Sequence, residues 1–486
     1  MKKIFIVGIL SIALFATSCD KMLDINENPN YPATSSADLS LSSAEVFVTS
    51  AVGGDLQLMG SIWSQFYAQH TGSNQYTGID SYNLPNSSAY VRNPWALFYA
   101  GAIPDLQNSI EASATNEEWG FWFMAQTLKA YSFHVLVDFY GEIPFSQATQ
   151  GVGIDPVYDS GASVNAGIIK ILDDAIAKEA EAKEANGFVV DTRLKSDLLL
   201  DGDIDVWVQF AKTLKLKILL RNYAANATAI NALLAEGDLL ASDVKFDKFE
   251  DVENNSNPLY ENDRRKLNTP NNLRGSSSMI KFLNANSDPR VGVFFEKAKG
   301  IYLGLPQGGY TLGSAWTTIT SRAALAATDA VYLMSAAESY FLQAECYARA
   351  NDPVKAKANY DLGVEEAFIR WDLDATTFIA PAGAYEFNVT SQTTMLQSIW
   401  RQKWIASVRS QAWDSFFEIN RTGYPVFGTV NSENAAYVVG DLAPSINSVL
   451  PAGEYPRRLI YPKSSTDYNP NAPVAIPMQT KMWWHK

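Results

Sequence analysis

Cysteine and histidine are both rare in this sequence of 486 residues, which has two cysteines and three histidines. Cys19 and Cys346 are too few to form the disulfide framework that small secreted folds depend on. His70, His134 and His485 are far apart along the chain and match no zinc-ligand spacing. The sequence therefore predicts neither a disulfide scaffold nor a zinc site.

Motifs that bind cofactors or carry out catalysis are also missing. There is no G-x-S-x-G elbow and no P-loop, and Gly151-x-Gly153 is followed by Pro156 where a dinucleotide loop has its third glycine. The acidic runs that begin at Asp24 and Asp201 lack the glycine at position six and the acidic residue at position twelve of a calcium loop. We therefore expect no cofactor, no metal site and no catalytic residues.

An excess of basic residues is absent as well, since 38 Lys and Arg face 52 Asp and Glu and the formal charge is -14. A chain with this charge has no general attraction for the phosphates of nucleic acids, and it contains no basic cluster dense enough to reverse that. The charge also favours neutral ligands over anions. Apolar residues make up 47% of the chain, which is typical of a folded globular protein.

Long apolar runs are limited to one segment at the N-terminus. The run from Ile4 to Ala16 follows Lys2 and Lys3 and is too short to span a bilayer, so it has the form of a secretory signal. No other segment approaches the roughly 20 apolar residues that a spanning helix requires.

The end of this signal resembles a processing site of bacterial lipoproteins. The stretch FATSC ends at Cys19, although Ala16 stands where leucine is usual. We predict a lipoprotein signal peptide at 1–18, lipidation of Cys19, and a lipid anchor and tether at 19–43, rich in Asn, Pro and Ser. The alternative is ordinary secretion with an incidental cysteine.

The rest of the chain, 44–486, is predicted to be a single domain of helices and long polar loops. The clearest helix is GDIDVWVQFAKTLKLKILLRNY, with Asp203 or Asp205 as its N-terminal cap. An apolar stripe follows at the spacing of one buried helix face. Arg221 lies near the same stripe, and we expect its stem to be packed and its charged head to be either paired or extended to solvent. The stripe is Trp207, Phe210, Ala211, Leu214 and Ile218.

A second segment, from about Ala330 to Phe368, repeats a step of large and small residues. Tyr340, Ala344 and Tyr347 are followed, after a break, by Ala356, Tyr360 and Gly363. This pattern resembles the tetratricopeptide unit of two antiparallel helices, in which a small residue lets the partner's ring approach. Phe368 stands where that unit has its closing proline. Such helix pairs are expected to recur and to stack into one core.

The remaining pattern is helical, with little strand-like alternation. Further helices are predicted at 42–69, 94–113, 117–139, 162–184, 277–285 and 393–420. The loops between them are long enough to carry function; they lie at 70–93, 245–275, 296–328 and 422–475.

Several stretches, taken together and in order, resemble the SusD/RagB family of outer-membrane nutrient-binding lipoproteins, in the branch with a shorter middle region. They are Cys19 followed by LDINENPN, then AYSFHVLVDFYGEIPFSQA, the GDIDVW helix, NSDPR, YLGLPQGG, YLMSAAESYFLQAECYARA, RQKWIASVRSQAWDSFFEINRTGYP and YPRRLIYP. The stretches INRTGYP and YPRRLIYP are the most telling. The resemblance extends over nearly the whole chain.

This resemblance implies an all-α fold, mostly of tetratricopeptide-like helical pairs in a SusD-like α/α superhelix, with a loop-rich irregular half. It implies a cell-surface, lipid-anchored protein of the outer membrane that catalyses nothing and traps a nutrient above a SusC-like TonB-dependent transporter. The ligands expected from the family are mostly oligosaccharides, and some members handle peptides.

The resemblance also places the ligand site in two loop regions, here 70–93 and 300–328. Within them we select residues by chemistry, because aromatic rings cover the apolar face of a sugar while amides and guanidinium groups bond its hydroxyls. The candidate ligand-binding residues are Asn74, Gln75, Tyr76, Tyr82, Tyr90, Arg92, Tyr310 and Trp316. The alternative for each ring is that it only packs the loop.

Three other functions stay open at this stage. The same architecture could bind peptides, which genes for peptidases rather than glycoside hydrolases in the neighbourhood would indicate. The helices could form a protein-interaction scaffold or chaperone without a small ligand. An enzyme with a carboxylate pair cannot be recognised without geometry, because acidic pairs are common in this sequence.

Overall fold

Helices form most of the molecule, so the predicted fold class is confirmed. The computed structural model describes residues 35–149, 151, 155–184, 192–267 and 272–486. The predicted signal peptide, Cys19 and the acidic run at Asp24 lie outside the described residues. Residues Ala37–Lys486 form one compact unit. No helix in the described part of the chain is long and apolar enough to cross a membrane.

The longer α-helices carry the core. Those of eight or more residues are Ala37–Gly53, Asp55–Trp63, Ala89–Ala96, Ile103–Asn116, Trp119–Tyr140, Gly161–Ile176, Ile204–Leu219, Tyr223–Glu236, Ser277–Ala285, Ala336–Arg349, Pro353–Ile369, Gln392–Ala406 and Ala412–Thr422. Shorter ones are Thr77–Asp80, Glu179–Glu184, Pro258–Tyr260, Val291–Phe294, Ala315–Ile319, Thr376–Ile379 and Lys463–Thr466. Leu97–Ala102 and Glu261–Lys266 are π-helical, and Thr192–Ser196, Leu220–Asn222 and Gly309–Thr311 are 3₁₀ turns.

Helix Ile204–Leu219 follows its sequence pattern closely. The Asp203 side chain accepts a hydrogen bond from the Val206 backbone N–H at 3.2 Å and caps the helix. Every member of the predicted stripe is buried. Beyond the helix, Arg221 is buried and its guanidinium pairs with Asp138 and Glu418, so of the two expected arrangements its head adopts the paired one.

The helix pair Ala336–Arg349 and Pro353–Ile369 is the predicted tetratricopeptide-like unit. Ala344, Ala356 and Tyr360 are buried between the two helices. Gly363 is in close contact with the Phe341 ring, since a Cβ at Gly363 would lie 2.7 Å from that ring. The small residue therefore lets the partner's ring approach, as the pattern predicts.

Some element boundaries differ from the predictions. The predicted helix 42–69 is two helices and a strand, because Gly53 and Gly54 interrupt it, and Gly54 has φ -102° and ψ -111°. The predicted helix 393–420 breaks at 407–411, where Arg409 has a φ of +56°. Residues 37–43, which we assigned to the tether, lie in the first helix.

Helix Asp55–Trp63, near the start of the chain, packs against helix Ala412–Thr422, near its end. Gly60 lies against the backbone of helix Ala412–Thr422, because a Cβ there would approach the carbonyl carbon of Ala412 to 2.4 Å. The rings of Trp63 and Phe416 pack with their centroids 5.0 Å apart. The Gln57 side chain accepts a hydrogen bond from the Ala412 backbone N–H at 3.0 Å. Residues far apart in sequence therefore share one core.

Charged side chains form a continuous cluster inside the helical core. Lys217 pairs with Glu338 at 2.7 Å and with Asp414 at 2.5 Å, and Arg421 pairs with both Glu345 and Glu418 at 2.6 Å. Every member is less than a tenth exposed. We call it the buried charge cluster: Asp138, Lys217, Arg221, Glu338, Glu345, Lys403, Asp414, Glu418 and Arg421.

Two small antiparallel sheets connect the loops to the helices. The first sheet contains, in spatial order, β1 (Tyr67–Gln69), β3 (Leu273–Gly275), β5 (Arg322–Ala323) and β4 (Phe295–Glu296). Val244–Phe246, β2, pairs with Val331–Met334, β6. Tyr67 lies opposite Gly275, and Arg274 lies opposite Arg322. Since β1 precedes the loop at 70–93 and β5 follows Trp316, the first sheet brings both predicted ligand loops together.

Candidate functional site

Three loops meet at the buried side chain of Asp80. Its carboxylate accepts hydrogen bonds from the backbone N–H groups of Gln69, at 2.9 Å, and Gly308, at 3.0 Å, and from the Gln307 side-chain amide. The Ser445 hydroxyl donates to the Asp80 carbonyl at 2.6 Å. We call this arrangement the Asp80 junction. It joins the two predicted ligand loops to a third, within 422–475.

Burial determines the charge state of this junction. Asp80 is fully buried, and burial raises the pKa of its carboxyl to about 7, although the hydrogen bonds from Gln69, Gly308 and Gln307 act in the opposite direction. A raised pKa is the expected result when a carboxyl leaves water without a cationic partner. The loops are thus held by hydrogen bonds around a carboxyl that changes charge near neutral pH.

Tyr310 lies on a 3₁₀ turn, Gly309–Thr311, that begins at the Asp80 junction. Gly308 precedes it with a φ of +70°, and a Cβ at Gly308 would lie 2.2 Å from the Ser445 hydroxyl oxygen. The Asn447 side-chain amide donates to the Gly308 carbonyl at 2.7 Å and contacts the Thr311 hydroxyl at 2.8 Å. The turn is therefore fixed on both sides, while the Tyr310 side chain is half-buried.

Trp316 is half-buried on the short helix Ala315–Ile319. Arg274 supports this helix, since its guanidinium donates to the backbone carbonyls of Thr317 and Thr320, both at 3.2 Å. The Thr317 hydroxyl also lies 2.7 Å from the hydroxyl of Thr71. Because Thr71 belongs to the first ligand loop, this contact joins the two predicted loops beside Trp316.

The candidate residues of the first loop fall into two groups. Asn74, Gln75 and Arg92 are exposed, and Tyr90 is half-buried with its hydroxyl 3.4 Å from the Gln75 carbonyl oxygen. These four stay available to a ligand. Together with Tyr310 and Trp316 they supply rings, amides and a guanidinium group at the surface.

Tyr76 and Tyr82 are buried in the core, and this corrects their prediction as ligand contacts. They are 1% and 3% exposed. The Tyr76 hydroxyl donates to Asp263 at 2.8 Å, and its ring packs edge-on to Tyr90 at 6.1 Å. Tyr82 follows Asp80 by two residues and has a φ of +62°. Both rings therefore pack the loop, which is the alternative that the sequence left open.

The other candidate positions for chemistry are structural. His134 and Cys346 are each 1% exposed in the core, as expected. Asp203, from the acidic run that begins at Asp201, is a helix cap. In the part of the chain that the structure describes, no group of three or more His, Cys, Asp or Glu side chains could hold a metal ion.

Sequence reasoning missed the residues that position the loops. Asp80 contacts Gly308 and Ser445, which are 228 and 365 residues away. Arg274 reaches Thr317 and Asn447 reaches Gly308 over 43 and 139 residues, and no local pattern marks such pairs. It also missed a groove of about 510 Å³ beside residues 246–266, although the loop at 245–275 had been singled out for its length.

Comparisons with known proteins point in one direction. A family model of SusD-like proteins, described as "Starch-binding associating with outer membrane", matches residues 41–462. No curated protein matches the sequence.

The fold is similar to many solved structures. A SusD homologue from Bacteroides uniformis is 22% identical with a TM-score of 0.72, over 92% of this chain and 99% of that chain. A chitin-binding SusD homologue from Flavobacterium johnsoniae is 20% identical with a TM-score of 0.72, over 92% and 98%. A putative outer-membrane protein from Bacteroides vulgatus is 17% identical with a TM-score of 0.73, over 93% and 100%. At these identities the structures show the fold, which agrees with the predicted superhelix.

Proposed function

The chain belongs to the SusD-like family of outer-membrane-associated binding proteins, and on that premise we propose that it captures an oligosaccharide at the cell surface. The captured ligand then passes to a SusC-like TonB-dependent transporter. The role is binding without catalysis. The observation that carries the proposal is the Asp80 junction, which joins the two loops that bear the sugar-compatible side chains.

The chemistry of the exposed candidates supports an uncharged glycan. Tyr90, Tyr310 and Trp316 offer ring faces to the C–H face of a sugar, and Asn74 with Arg92 offers donors to its hydroxyls. The net charge of -14 disfavours anionic ligands in general. The printed name of one solved relative, a chitin-binding SusD homologue, is consistent with a glycan of this type.

Membrane attachment is proposed through Cys19, which lies outside the described residues. Acyl chains on this residue would hold the protein at the outer membrane, because a doubly acylated anchor is durable while a single chain is marginal. The test is detergent partitioning of the protein expressed in its own host. Cys19→Ala should move the protein from the detergent phase to the aqueous phase. Unchanged partitioning would contradict the anchor.

Ligand binding is tested by calorimetry with a panel of neutral oligosaccharides and peptides. We expect a neutral glycan to bind, and Trp316→Ala to weaken that binding at least about tenfold, or roughly 1.4 kcal/mol. Trp483→Ala is the matched control, because Trp483 is 49% exposed near the C-terminus. Binding of peptides alone would replace the glycan by a peptide ligand. Silence toward every glycan and peptide would contradict small-ligand binding.

Partnership with a transporter is tested separately. We expect affinity purification of the tagged protein from detergent-solubilised outer membranes to recover a TonB-dependent barrel in near-stoichiometric amount. Purification of an unrelated outer-membrane lipoprotein with the same tag is the control. Recovery of no barrel, with the protein present in the membrane, would contradict the delivery step.

A further inference from the structure

A groove of about 510 Å³ lies between helix Ala37–Gly53 and the segment 246–266. Ligand pockets commonly have volumes of roughly 300–1,000 Å³. Val46 and Ser50 line it from the helix, and Phe246 and Phe249 line it from the segment. No residue of the second ligand loop, 300–328, is among the lining residues, while Asn93, the last residue of the first loop, is one of them. The groove therefore differs from the surface that carries Tyr310 and Trp316.

The apolar part of the groove is a pair of aromatic rings. Phe246 and Phe249 have their centroids 4.7 Å apart at an interplanar angle of 53°, and both are only half-buried. Val46, opposite them, is 47% exposed. Partly exposed rings beside an exposed aliphatic side chain offer apolar surface on which the C–H face of a sugar can lie.

The polar part of the groove includes four side-chain amides. Asn93, Asn254, Asn255 and Asn262 line it together with the Ser50 hydroxyl. Amides and hydroxyls both donate and accept hydrogen bonds, as sugar hydroxyls do. Asn254 has a φ of +67°. Among residues other than glycine, asparagine is one of those that adopt this conformation most readily.

The charged groups at the groove nearly balance and mostly have partners within the protein. Lys248 lies 3.4 Å from Asp201, and Asp55 accepts a hydrogen bond from the Asn93 amide at 3.1 Å. The Ser256 hydroxyl donates to Glu261 at 2.5 Å. The lining therefore does not require a charged ligand to neutralise it, which favours an uncharged one.

Two π-helical turns contribute residues to the groove. Leu97 belongs to Leu97–Ala102, and Asn262 belongs to Glu261–Lys266. These are the two π-helical segments in the described ranges, and both contribute to this one groove. The π-helix is rare and is found frequently at functional sites, because the extra residue redirects side chains at a cost in backbone energy.

We propose that this groove is a second glycan-binding site that takes an uncharged oligosaccharide segment on the Phe246–Phe249 pair. The inference rests on the proposed function and adds a site to it. A polymer engaging both the groove and the loop surface would be held at two points, which raises its apparent affinity through a high effective concentration.

The experiment measures retention of the full chain without its signal peptide in native gels that contain one polysaccharide each. The gels contain soluble starch, xylan, mixed-linkage β-glucan, glycol chitin or polygalacturonate. The groove variants are Phe249→Ala, which removes a ring, and Ser50→Phe, which fills the groove from the helix. Trp316→Ala tests the loop surface. Tyr468→Ala is the matched control, because this ring is 83% exposed and lines neither site. Melting temperatures confirm that each variant is folded.

We expect Phe249→Ala and Ser50→Phe each to weaken retention by a neutral polysaccharide at least fivefold, and Tyr468→Ala to leave it unchanged. Calorimetry with a hexasaccharide of the retained polymer should give two sites in the wild type and one in Phe249→Ala. One site in the wild type, with both groove variants retained normally, would overturn the inference and leave the proposed function intact. Groove-dependent retention by polygalacturonate alone would overturn the uncharged ligand. No retention of the wild type in any gel would contradict the proposed function itself, and the inference with it.

Discussion

The buried charge cluster and the Asp80 junction are two ways of joining distant parts of one chain. In the cluster, side chains from several helices pair as full charges, as Lys217 does with Glu338 and Asp414. In the junction, a single carboxyl accepts hydrogen bonds from loop backbone, including the N–H groups of Gln69 and Gly308. The first arrangement depends on which side chains are present. The second depends mainly on where the backbone lies.

This difference suits the two halves to different tasks. Helices already satisfy their own backbone groups, so only side chains are left to specify how they pack. Loops have unsatisfied backbone groups, and a buried carboxyl can collect them. The outward side chains of the loops are then free to vary without loss of the loop path. A binding protein can therefore keep its helical frame and change its ligand.

The largest effect is expected from Lys217→Met, which breaks the cluster. Lys217 is 1% exposed, and its loss leaves Glu338 and Asp414 without their shortest cationic contacts. Removing one partner of a buried ion pair costs about 3–5 kcal/mol. Lys170→Met is the control, because Lys170 pairs with Asp174 at the surface, where a pair contributes about 0.2–1 kcal/mol. Urea unfolding measures both, and equal losses would show that the cluster does not hold the helices.

Gly308→Ala tests the backbone requirement of the loops. Its φ is +70°, and a Cβ would lie 2.2 Å from the Ser445 hydroxyl oxygen. Strain and overpacking each cost about 1–3 kcal/mol, so we expect a loss of roughly 2–6 kcal/mol and weaker glycan binding. Gly300→Ala is the control, because Gly300 has φ +84° with nothing within 4 Å of its Cβ position. Urea unfolding measures the stability of both variants. If Gly308→Ala lost no more stability than Gly300→Ala, the close contact with Ser445 would not contribute to the requirement for glycine.

Asp80→Asn tests the charge state of the junction. The new amide nitrogen is itself a donor and would face one of the N–H groups that now donate to Asp80, so one hydrogen bond would be lost. We expect the free energy of unfolding to fall by about 1–3 kcal/mol. The folded pKa of about 7 lies above the unfolded value of 3.8, so the protonated form is favoured on folding. This contribution is present in full below about pH 4 and is lost as pH rises through 7, by at most roughly 4 kcal/mol.

The stability difference between wild type and Asp80→Asn should therefore be largest near pH 4 and should shrink toward pH 8. Urea unfolding at several pH values measures it, and the variant itself corrects for the other titrating groups. A difference that grows between pH 4 and 8 would mean that Asp80 is held as a carboxylate.

The smallest effect is expected from Thr71→Val, which removes the contact between Thr71 and Thr317. A single hydrogen bond contributes about 0.5–1.5 kcal/mol to stability. Because the contact lies beside Trp316, we expect glycan affinity to fall a few-fold with little change in unfolding. Thr115→Val is the control, since the Thr115 hydroxyl donates to the Glu111 carbonyl of its own helix at an exposed position. Equal glycan affinity in both variants would show that Thr71 does not position Trp316.

The helical half was largely predictable from the sequence, and the site was predictable only in part. The stripe from Trp207 to Ile218 and the close approach at Gly363 follow from local periodicity and residue size, which the sequence contains directly. Tyr76 and Tyr82 were wrong as ligand contacts, because the same composition suits a ring that binds sugar and one that packs a loop. Whether Tyr76 meets solvent depends on Asp263, which is 187 residues away.

Contacts between residues far apart in the chain limit what can be predicted from the sequence. The Asp80 junction unites residues whose separations reach 365 positions, as between Asp80 and Ser445. Neither residue belongs to a local motif, so their meeting follows only from the completed fold. The groove at Phe246 and Phe249 is similar, because its opposite wall comes from helix Ala37–Gly53.

The contact between Gly60 and the Ala412 backbone has a consequence for the order of events when the polypeptide is made. Until the ribosome has passed residue 416, the Trp63 ring lacks the Phe416 ring against which it packs, so the early helices cannot complete their core. Assembly must wait for nearly the whole chain, and topologies of this kind fold slowly. Versions truncated before residue 412 should lack this part of the core and are expected to aggregate.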